Sequence, residues 1–123
     1  MINWDKFNEY LKFYDDALIL EVINMFIHDL PENISTLKEK VEEKDFPKVD
    51  IIAHSLKSNF ATFGATEPQE LALKLEMMGK KKVDVITDDN GAGFTMKELF
   101  SQFETASSKV VLELEQYKKT HSS

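Results

Sequence analysis

Apolar residues recur along this chain at steps of three, four and one, the spacing of a helix face rather than the alternation of a strand. Leu18, Val22, Ile23, Phe26, Ile27, Leu30, Ile34, Leu37 and Val41 trace one such face. Asp15 and Asp16 stand before it, suited to cap the helix and to face its dipole. Pro31 lies inside the stripe and is expected to kink the helix or split it in two. A shorter helix, from about residue 3 to residue 12, precedes it, with Asn3 or Asp5 as its cap. The pattern breaks at Asp45-Phe46-Pro47, where Asp45 can cap and Pro47 fits an early helical position. The next helix runs to about Phe63, with Gly64 as its stop. Thr66-Glu67-Pro68 restarts a helix through Leu71, Leu75 and Met78 that ends near Gly79. A polar loop, Thr87 to Gly93, leads to a last helix from near Thr95 through Leu99, Phe103, Ala106, Val110, Leu114 and Tyr117. Residues 119–123 read as a frayed tail.

Four substantial amphipathic helices with short connections bury their stripes most simply against one another. The expected fold is all-α: an antiparallel up-down four-helix bundle over about 15–118, with a short extra N-terminal helix. A chain of 123 residues fills one such domain and not two. Trp4 is placed to anchor the first helix, and the phenylalanines mostly fall on core arcs.

Composition then removes function classes. The net charge is −7, and all fifteen basic residues are lysine. Without a basic face or arginine forks, nucleic acid is not an expected partner. The absence of cysteine removes thiolate metal sites and cysteine nucleophiles. No apolar run approaches the ~18 residues of a membrane span, and the N-terminus lacks a signal-peptide pattern. No membrane association and a cytoplasmic location are therefore expected. Three dispersed histidines do not make a metal site, so none is expected. Asp88-Asp89-Asn90-Gly91 fails as a calcium loop, because Ile86 and Lys97 fall where carboxylates are needed. Gly91-Ala92-Gly93 is too short for a nucleotide loop, and Lys80 to Lys82 read as helix-end partners of the dipole.

The third helix breaks its own pattern. Val49, Ile52, Ala53, Leu56, Phe60 and Phe63 share one arc, while His54 lies roughly 140° from the arc's centre and points outward. Lys57 lies three residues on, close to one turn away. Ser58, Ala61 and Ala65 are small, and Ile51 adds exposed apolar surface, so a protein can approach the imidazole closely. Neutral imidazole is a competent nucleophile near neutral pH, and a neighbouring lysine can neutralise a bound phosphoryl group as a mobile point charge. Spacing alone leaves open a merely solvated histidine. His28 lies opposite its own helix's apolar stripe and reads as solvated; His121 falls in the tail.

The run Ala53-His54-Ser55-Leu56-Lys57-Ser58, then Phe63-Gly64-Ala65, Leu71, Leu75-Glu76 and Gly79, resembles the histidine-containing phosphotransfer (HPt) family. Phe26-Ile27-His28-Asp29-Leu30-Pro31-Glu32 and the Asp45-Phe46 break resemble that family's lead-in. The resemblance spans roughly residues 16 to 80. It implies that His54 accepts a phosphoryl group from the aspartyl phosphate of a receiver domain and passes it to another receiver's aspartate. It implies that Lys57 neutralises phosphoryl charge, and that Ile51, Ser58, Ala61 and Ala65 form the receiver docking face, with Leu18 and Met25 flanking it. The receiver would bring the acidic pocket and magnesium, so this chain needs no cofactor or metal of its own. The partners implied are response-regulator receiver domains and a hybrid sensor histidine kinase, with the chain itself a monomer. Ser58 departs from the family's usual glycine, yet remains small. Two other readings stay open: the phosphoacceptor module of a chemotaxis-type kinase, and a non-catalytic helical adaptor.

Overall fold

A computed structural model describes residues 1–121. Five helices and one small hairpin follow in the order α1 (Trp4–Tyr10), α2 (Asp16–Glu43), α3 (Phe46–Thr62), α4 (Thr66–Lys81), β1 (Val85–Thr87), β2 (Gly93–Thr95) and α5 (Met96–His121). Helices α2 to α5 form the bundle: α3 packs on α2 and α4, and α5 packs on α4 and α2. The fold is the expected four-helix bundle with a short extra N-terminal helix.

The caps follow the side chains available. Asn3, Asp15 and Asp45 accept the backbone N–H of Lys6, Leu18 and Lys48 respectively, each satisfying a donor that a helix start leaves open. The stripes of the four long helices meet in one core, in which Ile23, Leu37, Val49, Phe60, Leu75, Phe103 and Leu114 are completely or almost completely excluded from water. Phe60 contributes edge-on contacts to Phe26 and Phe103, the geometry aromatic quadrupoles favour.

Pro31 does not split α2, which runs without interruption through 28 residues. The proline lies on the exposed side, while Leu30 and Leu37 stay buried around it. Packing of the stripe on both sides outweighs the one backbone donor that proline lacks. Gly79 does not end α4; the helix continues to Lys81 and closes on Lys82 in a left-handed conformation. The expected polar loop carries a hairpin, with Val85 paired to Thr95 and Thr87 to Gly93. Its turn is closed by Asp88, whose Oδ1 accepts the N–H groups of Asn90 and Ala92. The expected fraying does not start at residue 119: α5 stays helical to His121, whose ring stacks on Tyr117 at 3.8 Å. The rest of that expected tail, residues 122 and 123, lies outside the described residues.

Helix α1 is clamped to the α3–α4 corner. Phe7 and Leu11 are buried, and Trp4 packs on Phe7 and stacks on Tyr117. The Asn3 N–H donates to the carbonyl of Gly64 at 2.8 Å, and Ile2 bridges to Ala65. Gly64 has φ +67°, and a Cβ there would come within 2.6 Å of the Asn3 carbonyl oxygen. Glycine is needed for both reasons.

Candidate functional site

The site begins with how closely two helices approach. Ala72, Leu75, Glu76 and Gly79 recur at helical spacing and form the buried face of α4. A Cβ on Gly79 would lie 2.7 Å from the Asp50 nitrogen and 2.8 Å from the Phe46 carbonyl oxygen, so α4 can press against α3 only because this residue has no side chain. Ala53 is the matching small, fully buried residue on α3. The approach carries Glu76, whose side chain is only 4% exposed, to the foot of His54.

His54 points outward, with 60% of its side chain exposed. Its Nδ1 lies 2.7 Å from Glu76 Oε2. Lys57 donates from Nζ to Glu76 Oε1 at 2.6 Å. One carboxylate therefore serves both residues through separate oxygens. A third cation joins from α4: Lys80 donates to Asp50 Oδ1 at 2.9 Å and lies 3.5 Å from Glu76 Oε2. Asp50 is one turn before His54 and Lys57 close to one turn after it, so the imidazole stands between two lysines.

Burial works against ionisation of Glu76, but the hydrogen bonds from Lys57 and His54, with their charges, outweigh it. The carboxyl is held below its ordinary range and stays ionised. The hydrogen bond to Asp50 leads the causes that raise the pKa of Lys80, so it remains a cation.

These facts fix the chemistry of the imidazole. A carboxylate can only accept, so Nδ1 must carry the proton that bridges to Glu76. In the neutral ring Nε2 then holds the lone pair, turned away from Glu76 and toward solvent. Any positive charge that develops on the ring faces a buried anion. The arrangement is that of an oriented nucleophile backed by an orienting carboxylate.

The neighbours predicted from sequence divide. Ile51 is 68% exposed, Ser58 is exposed and Ala61 is half-buried, so all three can meet a partner. Ala65 cannot: it is fully buried where α4 begins, paired with Ile2. Its expected place on the open face is corrected by the N-terminal segment, whose Ile2 bridges to it at that corner. The Ser58 hydroxyl turns back to the carbonyl of His54 at 3.2 Å and does not reach past it toward Nε2. Leu18 and Met25 are both exposed on α2. His28 is exposed, as expected for a solvated residue.

Sequence reasoning did not single out Glu76, Asp50 or Lys80 as parts of the site. The signal for Glu76 was present: a carboxylate on the apolar arc of α4, between Leu75 and Gly79, needs a cationic partner from another element.

The family profile of the Hpt domain matches residues 21–116, from early α2 to near the end of α5. No curated protein matches the chain. No helix among the described residues is long and apolar enough to cross a membrane. The matched span contains the oriented imidazole, its carboxylate and both lysines, and the chain belongs to the Hpt domain family, whose members carry out phosphotransfer in two-component phosphorelays.

Proposed function

We propose that His54 is the phosphoacceptor, taking its phosphoryl group from the aspartyl phosphate of a receiver domain and delivering it to the aspartate of another. The observation that carries this reading is the His54–Glu76–Lys57 arrangement. It leaves one nitrogen, Nε2, both nucleophilic and open to a partner.

In the forward step the Nε2 lone pair attacks phosphorus in line. The N–P bond forms as the P–O bond to the receiver aspartate breaks, and the aspartate leaves as a carboxylate. The proton on Nδ1 stays in place. The ring becomes an N-phosphorylated imidazolium, and Glu76 balances its charge. The reverse sequence delivers the group to the next receiver, with neutral imidazole as the leaving group. Phosphoryl transfer of this kind depends on positioning and charge neutralisation, which this chain's residues supply. The ammonium of Lys57 has three donors and can hold Glu76 while also reaching a phosphoryl oxygen. Lys80 approaches from the opposite side. Ile51, Ser58 and Ala61 form the surface next to the imidazole on which the receiver sits. The docking is transient, since the carrier must release each partner.

Incubation with phosphorylated receiver domains tests the reading. Label is expected on the wild-type chain and not on His54→Gln. Failure to label the wild type, or equal labelling of the variant, contradicts it. Labelling only by ATP through a kinase catalytic domain would favour a chemotaxis-type module.

A further inference from the structure

We propose that Asp50 is a positioning residue for the phosphoacceptor: it holds Lys80 off Glu76 and so keeps that carboxylate's Oε2 for the imidazole of His54. The proposal rests on the reading of His54 as phosphoacceptor. It gives a task to a carboxylate that bonds Lys80 and not the imidazole.

Helix α4 by itself would pair Lys80 with Glu76. The two are four residues apart with the acid first, the order in which a helical ion pair forms best. The pair does not close. Lys80 Nζ lies 3.5 Å from Glu76 Oε2 but 2.9 Å from Asp50 Oδ1, and the hydrogen bond it donates goes to Asp50. Asp50 can compete because Gly79, the residue before Lys80, lets the α3 backbone at Phe46 and Asp50 lie directly against α4. The Asp50 side chain is 25% exposed, which limits the water that competes for the bond.

Both oxygens of Glu76 are already in use. Oε1 accepts from Lys57 at 2.6 Å, and Oε2 faces Nδ1 of His54 at 2.7 Å. A second ammonium closing on Oε2 would draw on the same negative charge that orients the ring, and the bond from Nδ1–H would weaken. The neutral ring with its proton on Nε2 would gain, and that form has no lone pair on Nε2 to attack phosphorus. The charges of the cluster balance as it stands, Glu76 and Asp50 against Lys57 and Lys80. Without the Asp50 carboxylate the same cluster carries one excess positive charge, beside the ring on which transfer develops positive charge. Asp50 thus acts on the imidazole through Lys80 and Glu76.

The experiment compares the full chain with Asp50→Asn, Asp50→Glu, Lys80→Met and the double variant Asp50→Asn/Lys80→Met, each checked by thermal melting. The first readout is the ¹⁵N spectrum of the His54 ring, taken above the pH range in which imidazole titrates; it needs no partner protein. The ratio of Nδ1–H to Nε2–H ring is expected to fall about threefold to tenfold in Asp50→Asn. It is expected to return to the wild-type value in the double variant, where the cation that draws on Glu76 is gone. The second readout is the rate of transfer from a phosphorylated receiver domain that labels the wild type. Asp50→Asn is expected to slow it by about the same factor, and Asp50→Glu, which keeps the charge, to recover most of the rate. An unchanged tautomer ratio in Asp50→Asn overturns the proposal, as does a ratio that stays low in the double variant. Faster transfer in Asp50→Asn also overturns it, since the freed Lys80 would then serve the phosphoryl group instead. Lys80→Met alone is expected to keep the ratio at or above the wild-type value; a fall there contradicts the proposal whether or not Asp50→Asn folds. If no receiver labels the wild type, the phosphoacceptor reading has failed, while the tautomer ratios still decide the part of Asp50.

Discussion

His28 and His54 both stand on the outer faces of long helices, exposed to solvent. They differ in what lies behind them. Among the described residues no side chain bonds the ring of His28. His54 rests on Glu76, a carboxylate sunk into the α3–α4 contact and held by Lys57. The same contrast separates two groups of lysines and glutamates. On α2, Lys40 pairs with Glu39 and Glu43, whose side chains are 62% and 48% exposed. Water competes for each of those charges, and such pairs contribute little. In the α3–α4 contact the carboxylate is 4% exposed and its geometry is fixed. Exposure gives a histidine access; a buried anion gives it a defined tautomer and a counter-charge.

The largest effect that could break this comparison is the exchange of the two histidines' fates. His54→Gln is expected to abolish phosphoryl labelling, and His28→Gln to leave the transfer rate unchanged; quantifying label on both variants checks this. Gly79→Ala comes next. Its methyl would meet α3 backbone within 3 Å and force the helices apart, costing about 1–3 kcal/mol of stability and slowing transfer. Denaturant unfolding and a transfer assay on the same protein measure both. Glu76→Gln keeps the shape but removes the charge. Loss of a charge-assisted hydrogen bond, about 1.5–3 kcal/mol, is expected to slow transfer about tenfold or more, as a transfer assay on the variant measures. Lys57→Ala is expected to slow transfer without unfolding the domain; a large fall in melting temperature would contradict that role.

The smallest effect is on pH and stability. Glu76 has a lower pKa folded than unfolded, so the unfolded chain binds more protons as the pH falls through the carboxylate range. The stability linked to Glu76 is fully present above the unfolded carboxyl's pKa and is lost as pH falls through the folded value. Glu76→Gln should therefore flatten the acid side of the stability curve. An unchanged slope would mean the carboxylate is not held as an anion.

Much of the fold was legible because helix stripes and caps are local. Asn3, Asp15 and Asp45 each cap the helix they precede. Of the two outcomes expected at Pro31, a kink or a split, the split does not occur, because the packing of a whole helix face outweighs one local break. The hairpin was missed because its strands are three residues each, too short for alternation to register. At the site, His54 and Lys57 could be found on one helix wheel. Their partner showed only as a carboxylate out of place on the apolar arc of α4; that it meets His54 and Lys57 was not legible, since Glu76 lies 22 residues from His54 and reaches it across the close approach that Gly79 allows. Ala65 was misplaced for a related reason: Ile2, just before α1 and 63 residues away in sequence, pairs with it.

The central claim is that Glu76 fixes the proton on Nδ1 and leaves Nε2 to carry the phosphoryl group. Phosphorylating the domain from a receiver and recording ¹⁵N and ³¹P spectra of the product tests it most directly. The account predicts a single phosphohistidine, at His54, substituted on Nε2 with Nδ1 protonated. A phosphoryl group on Nδ1, or on another histidine, would contradict it.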